Sequence, residues 1–247
     1  MEFLPGTAGI VLLLASQWSH AAPTVPGACF DAAAASLPVQ AGEALARIDG
    51  QGRQLLAVRS YLRAADLAGQ WSWSQERIEA YEGSAAQRAA HADVARVQAA
   101  FAAANPGYAL HVNLQVRSLD EQVRKWNGNA SVGAAADALL RAATRACRPG
   151  REALFERWLR SWRPPAAVNL AAPGLSSHGQ ALAYDFQVVQ GDTLVAGTDS
   201  RSVQSRWIAD GWAARLAAAV RESGASLSGP LRRPDEPWHY RYEPSSP

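Results

Sequence analysis

The strongest constraint on the fold is a sharp break at residues 105–107, Asn-Pro-Gly, because these residue types favour turns and interrupt helices. Before the break, residues 31–104 repeat apolar side chains at spacings of three and four, which predicts helices. After it, residues 108–116 alternate and carry Val and Leu, which predicts a strand. Helices followed by short strands mixed with helices predict an α+β fold with a small antiparallel sheet and surrounding helices.

Turn signals and apolar spacing predict the elements after the break. The predicted helices cover 118–126, 133–146, 151–162 and 203–222, and the predicted strands cover 181–189 and 237–242. Ser74 and Ser118 stand where hydroxyl side chains cap helix N-termini. The last helix is expected to carry one apolar face made of Ile208, Trp212, Leu216 and Val220.

The N-terminus is typical of an export signal over residues 1–21. The apolar run 9–15 is too short to span a bilayer, and small residues at 19 and 21 favour cleavage after Ala21. Glu2 stands where a positive charge is usual, so a buried N-terminal helix is the alternative. The sequence therefore predicts export to the periplasm or cell surface, with no transmembrane span elsewhere.

Charge and cysteine content limit the class of protein further. The 24 basic and 22 acidic residues are interspersed, so we expect no nucleic-acid partner. The hydrophobic content of 48% is enough for a packed core. Cys29 and Cys147 fit one disulfide in an exported protein, and two buried free thiols are the alternative. The oligomeric state is not predicted.

The first candidate site group runs from Ser176 to Phe186. Strand alternation places Ala181, Ala183 and Asp185 on one face, opposite the apolar side chains. A carboxylate that follows small residues on a strand leaves room for a cation to approach. His178 precedes this strand, so an imidazole and a carboxylate are expected near one another.

The second candidate group is Asp235 to Tyr240. Glu236 precedes His239 by three positions, and a regular strand would place them on opposite faces. Pro237 interrupts the strand, so a bend can return Glu236 to the side of His239. Two imidazoles, one carboxylate ligand and one further carboxylate are the residue types of a catalytic zinc site, in which zinc activates water and the free carboxylate accepts its proton.

These segments resemble the zinc D-alanyl-D-alanine carboxypeptidases of the VanY type and their relatives. The pattern S-x-H-x-x-G-x-A-x-D is matched by Ser176, His178, Ala183 and Asp185, although Ala181 replaces the glycine and Gly179 lies two residues earlier. The pattern E-x-W-H is matched by Glu236, Trp238 and His239. The resemblance implies a D,D-peptidase and hedgehog-like fold that binds one Zn²⁺ through His178, Asp185 and His239, with Glu236 as the general base.

A third segment, residues 116–122, resembles the R-S-x-x-x-Q stretch of the same family. The resemblance implies that Arg117 stabilises the oxyanion formed during hydrolysis. It also implies that Ser118, Gln122 and Ser176 bind substrate. Helix capping is the alternative for Ser118, a solvated helix position for Gln122 and a turn role for Ser176.

The resulting organisation is a signal at 1–21, an N-terminal helical region at 22–107 and a zinc peptidase catalytic region at 108–247. Residues 128–165 are a possible helical insertion. The resemblance implies hydrolysis of peptidoglycan stem peptides that contain D-amino acids, with D-Ala-D-Ala carboxypeptidase activity as the first expectation. An endopeptidase of the same fold and a non-catalytic cell-wall-binding module are the alternatives.

Overall fold

The computed structural model describes residues 24–244, and the predicted export signal lies outside them. The described chain is mixed helix and sheet, 53% helical, with a small open antiparallel sheet, so the predicted α+β class is confirmed. The helices are α1 (Gly27–Ala34), α2 (Val39–Ala46), α3 (Gln51–Arg63), α4 (Gln75–Tyr81), α5 (Ala85–Ala104), α6 (Leu119–Gly128), α7 (Ala130–Ala146), α8 (Glu152–Ser161) and α9 (Trp212–Ser223). The strands are β1 (Ala109–Val112), β2 (Ala183–Gln190), β3 (Thr193–Ala196), β4 (Leu227–Ser228) and β5 (His239–Tyr242).

The sheet has the order β1-β2-β5-β4, and β3 pairs with the C-terminal part of β2. All of these pairings are antiparallel. The register places Asp185 opposite His239 on neighbouring strands. Since residues directly opposite each other in a ladder have their side chains on the same face, this register brings the two side chains together.

Two hydrophobic clusters hold the elements together. One lies among α1, α3, α7 and α8 and includes Leu55, Tyr61, Leu139 and Phe155. The other lies between α5, α9 and the sheet and includes Phe101, Phe186, Leu216 and Tyr240. Each cluster joins helices from before residue 107 to elements after it, and α7 and α8 of the 128–165 segment pack against α3 and α1.

Two predicted helix caps are present in the structure. The hydroxyls of Ser74 and Ser118 accept hydrogen bonds from the backbone N–H groups of the first turns of α4 and α6.

The single helix predicted over 203–222 is wrong. The chain forms a π-helical turn at Val203–Ile208, Gly211 takes a left-handed conformation, and α9 begins after it. Ile208 consequently lies on the surface, 49% exposed.

A disulfide joins Cys29 in α1 to Cys147 at the C-terminal end of α7, which settles the pairing that the sequence left open. It closes a loop with a sequence separation of 118 residues inside the first hydrophobic cluster. Within residues 24–244, no helix is both long enough and apolar enough to span a bilayer.

We expect replacement of both Cys29 and Cys147 with serine to lower the free energy of unfolding by about 2–5 kcal/mol, because the unfolded chain gains the entropy that the crosslink removes. Urea unfolding of the oxidised wild type and the double variant measures this difference. Reductant should destabilise the wild type and leave the double variant unchanged. Equal unfolding midpoints for the two oxidised proteins would contradict the expectation.

Candidate metal centre

Three potential ligands converge at the end of the sheet. His178 lies on a 3₁₀ turn, Ser177–Gln180, that leads into β2. Asp185 lies on β2, and His239 begins β5. The ladder register brings the last two together, while the turn before β2 brings His178 over them. The convergence therefore follows from strand pairing and one tight turn.

The ligand atoms are spaced as a tetrahedral metal site requires. Nε2 of His178 lies 3.3 Å from Nδ1 of His239 and 3.2 Å from Oδ2 of Asp185. Nδ1 of His239 lies 2.9 Å from Oδ1 of Asp185. Ligands bound tetrahedrally to zinc at about 2.0–2.1 Å lie roughly 3.3 Å apart. The group can hold a metal ion, and imidazole with carboxylate suits several divalent transition metals.

Protonation of the metal-free site also favours metal binding. Burial lowers the pKa of His178, which keeps its imidazole neutral at neutral pH. Burial alone would raise the pKa of Asp185, but hydrogen bonds from His178 and His239 outweigh it and hold that pKa well below its ordinary value. Neutral imidazole and ionised carboxylate are the states that bind metal ions.

Glu236 lies beside the ligands because the chain bends before β5. Its backbone N–H donates to the carbonyl of Leu231, and its own carbonyl accepts from the N–H of His239, each at 3.0 Å. Its Oε2 lies 3.9 Å from Nδ1 of His239. The bend inferred at Pro237 thus returns the carboxylate to the side of the imidazole.

The environment of Glu236 raises its pKa to about 7 in the metal-free protein. Burial is the main cause; His239 and Arg117 oppose it, and the negative charge of Asp185 adds to it. A divalent cation at the neighbouring ligands would lower this pKa, because it favours the ionised carboxylate. Glu236 is therefore a carboxylate whose protonation changes near neutral pH or below, which suits proton transfer.

Arg117 is joined to the same centre through its backbone and its side chain. Its N–H donates to the carbonyl of His178 at 3.0 Å, and its guanidinium lies 3.5 Å from Oδ2 of Asp185. The guanidinium is partly buried and lines the cavity beside the ligands. Its charge therefore lies beside the three potential ligands.

Of the three predicted substrate-binding residues, only Ser176 lines this cavity. Ser118 caps α6, with its hydroxyl accepting from the N–H of Glu121 at 3.3 Å. Gln122 is 6% exposed and lies behind the cavity wall. The structure thus gives Ser118 and Gln122 contacts within the protein rather than positions on the wall.

Gln122 connects segments that the sequence keeps far apart. Its amide nitrogen donates to the hydroxyl of Ser72 at 2.8 Å and to the carbonyl of Arg117 at 2.9 Å, and its amide oxygen accepts from the N–H of Gly174 at 3.0 Å. Trp73 N–H also donates to the carbonyl of Gly179, next to His178. Ser72 could not be recognised from the sequence, because nothing in its local pattern distinguishes it from a solvated serine.

Ala181, which replaces a glycine of the resembled motif, has a backbone conformation that glycine favours. Ala181 stands at the position where the resembled family has glycine, and its φ of 55° is the one positive value at a non-glycine residue among residues 24–244. Left-handed backbone costs an alanine free energy that glycine avoids. The turn therefore has a left-handed backbone at this position, although the residue is alanine and not glycine.

Gly179 is required for a different reason, which is close packing. A Cβ at this position would lie 2.1 Å from the hydroxyl oxygen of Ser72 and 2.6 Å from the amide nitrogen of Gln122. We expect Gly179→Ala to lower the free energy of unfolding by about 1–3 kcal/mol, because a buried network must shift. Gly42→Ala is the matched control, since a Cβ there meets nothing within 4 Å and alanine favours the helix. Chemical unfolding of both variants measures the effect, and equal stability of Gly179→Ala and wild type would contradict it.

The ligands open into a cavity of about 750 Å³. One wall includes Leu231, Arg232, Pro234 and Glu236 from the segment before β5, and a second wall includes Asn129, Asn169 and Ser200. Ser131 and Asn169 are hydrogen-bonded at 2.6 Å, and Asn169 also donates to Ser200 at 3.1 Å, which ties the second wall together. The cavity has room for several residues of a peptide next to the metal ligands.

The fold and site define an α+β protein with a His-Asp-His group that can hold a metal ion. No family model, curated protein or solved structure matches the chain. The geometry of this centre and the three sequence segments are therefore the basis on which a function can be proposed.

Proposed function

We propose that the protein is a zinc-dependent peptidase that hydrolyses D-amino-acid-containing stem peptides of peptidoglycan, with carboxypeptidase action as the first expectation. The observation that carries the proposal is a partly buried carboxylate, Glu236, beside three metal-ligand side chains in one cavity. Three protein ligands are typical of catalytic zinc sites, whereas structural sites use four. The resemblance of the three segments supports the choice of reaction and substrate.

A zinc ion held by His178, Asp185 and His239 would polarise the scissile carbonyl and lower the pKa of water toward 7. Glu236 accepts the proton of the attacking water and delivers it to the leaving amine. Arg117 donates hydrogen bonds to the oxygen on which negative charge develops. Gln122 holds the backbone at Arg117 in place through its hydrogen bond to the Arg117 carbonyl.

The proposed location is outside the cytoplasm. The disulfide between Cys29 and Cys147 is typical of proteins in oxidising compartments. The first 21 residues fit an export signal by composition. Peptidoglycan is reached from the same side of the membrane, so location and proposed substrate agree.

Mass spectrometry of purified muropeptides incubated with the protein, with and without a chelator, tests the proposal. Release of free D-alanine that stops on chelation supports a carboxypeptidase. Chelator-sensitive cleavage within the stem supports the endopeptidase alternative. Intact muropeptides after prolonged incubation of zinc-loaded protein would contradict peptidase function and favour a binding module.

A further inference from the structure

Arg241 lies on the same face of β5 as the ligand His239, two residues further along the strand. The burial pattern of β5 shows the alternation: Tyr240 and Tyr242 face the core, and Arg241 faces out. Its partners across the ladder are Ala183 on one side and Ser228 on the other. Because both neighbours are small, space remains above the strand next to the metal ligands, and Arg241 lines the cavity.

The guanidinium of Arg241 has no acidic partner within the described chain. In residues 24–244 no carboxylate oxygen lies within 4.0 Å of it. Glu243, two residues on, instead accepts a hydrogen bond from the hydroxyl of Ser228 at 2.7 Å. Arg117, which also lines the cavity, does have a carboxylate neighbour in Asp185. Arg241 is thus available to an anion that enters the cavity.

The charge of the whole cavity also favours an anionic ligand. Its walls carry four cationic side chains, Arg117, Lys125, Arg232 and Arg241, against the two carboxylates Asp185 and Glu236. The formal excess is two positive charges, and a bound divalent cation would raise it to four. Arg117 lies 3.5 Å from Asp185, and Lys125 lies 3.5 Å from Glu121, which is outside the cavity lining. Within residues 24–244, Arg232 and Arg241 are therefore the cations of the lining with no carboxylate oxygen within 4.0 Å. A ligand with negative charge beyond its scissile bond complements this arrangement.

We propose that Arg241 binds the C-terminal carboxylate of the substrate and so makes the site specific for peptides with a free chain end, an inference that rests on the proposed peptidase function. Same-face residues two apart on a strand lie about 7 Å apart, and an arginine side chain can cover that span. The carboxylate of a residue that directly follows the scissile carbonyl lies within this reach, since successive Cα atoms are about 3.8 Å apart. Guanidinium and carboxylate pair in a bidentate manner.

The test compares an N-acyl-D-Ala-D-Ala peptide with the same peptide as its C-terminal amide. For the zinc-loaded wild type we expect kcat/KM to be on the order of 10- to 100-fold higher for the acid, which is the range for losing hydrogen bonds to a charged group. Arg241→Ala should lose that preference, mainly through a higher KM for the acid, and change little on the amide. Arg241→Lys should recover part of the preference, because it keeps the charge without the bidentate geometry.

Arg233→Ala is the matched control, because Arg233 is an exposed arginine in the segment before β5 that does not line the cavity. It should keep the wild-type preference, and zinc content should be equal in all variants. Equal wild-type rates on acid and amide, or equal losses on both in Arg241→Ala, would overturn the inference while leaving peptidase function intact.

Calorimetric titration of the zinc-loaded protein with both peptides separates the other outcomes. If the wild type hydrolyses neither peptide but binds the acid more tightly in an Arg241-dependent manner, the proposed function fails and the carboxylate site stands. If it neither hydrolyses nor prefers the acid in binding, both fail. Circular dichroism of Arg241→Ala should match the wild type, since the side chain is exposed.

Discussion

Glu236→Ala is expected to lower kcat/KM for peptide hydrolysis by about 10²- to 10⁴-fold, the range for loss of a general acid–base group. The variant should keep its fold and its zinc, because Glu236 is not one of the three ligands and an alanine fits where a longer side chain stood. Steady-state kinetics with metal content measured on the same sample gives both values. A rate near that of the wild type would refute the assignment of Glu236 as the base.

Asp235→Ala is the matched control for this variant. Asp235 is the adjacent acidic residue, but it is exposed and does not line the cavity, so its loss should leave kcat/KM unchanged.

The rate of peptide hydrolysis by the wild type should fall as the pH is lowered, because protonated Glu236 cannot accept a proton. Since burial raises the metal-free pKa to about 7 and a bound cation lowers it, this decline should have its midpoint below about pH 7.

His239→Ala is expected to remove the metal. The variant keeps only His178 and Asp185 as ligands, and we expect its zinc affinity to fall by more than about 100-fold, the upper range for changes to residues that merely support ligands. Dialysed wild type should hold about one zinc per chain, and the variant close to none. Elemental analysis by mass spectrometry measures the content.

His111→Ala is the control for nonspecific loss of metal, because His111 lies exposed on β1 and is not part of the metal-ligand group. Its zinc content should equal that of the wild type. Full zinc occupancy in His239→Ala would show that the metal lies elsewhere, and the mechanism based on Glu236 would then lose its basis.

The three potential ligands and Glu236 could be predicted from sequence because their segments resemble one family and their spacing is tied to local structure. Asp185 follows small residues on a strand, and Glu236 and His239 flank a proline that forces a bend. Pairing of β2 with β5 then brings Asp185 opposite His239. The alternation of side chains between the two faces of a strand is a short-range property, so it can be recognised in a single sequence.

Contacts that depend on tertiary packing could not be derived in the same way. The hydrogen bond of Gln122 with Ser72 joins residues 50 positions apart, and neither residue stands out in its own segment. The pairing of Cys29 with Cys147 stayed open for the same reason, since separation along the chain gives no distance in space. Arg241 likewise has no carboxylate oxygen within 4.0 Å in residues 24–244 because of which acidic side chains fold near it, and its own segment does not reveal this.

The break at Gly211 shows a different kind of error. Apolar residues continue at helical spacing from Ile208 to Val220, so periodicity alone predicts one helix. A glycine with φ of 76° ends the preceding turn, and α9 restarts one residue later. Gly211 within the amphipathic pattern was the sequence signal that could have indicated this break. The chain adopts the left-handed conformation that glycine allows, although the apolar residues keep helical spacing.

The most direct test of the account is an anomalous difference map collected at the zinc absorption edge from crystals of the zinc-loaded protein. The account predicts one strong peak about 2.0–2.2 Å from Nε2 of His178, Nδ1 of His239 and a carboxylate oxygen of Asp185. Absence of a peak between these side chains, with zinc present in the crystal, would contradict it.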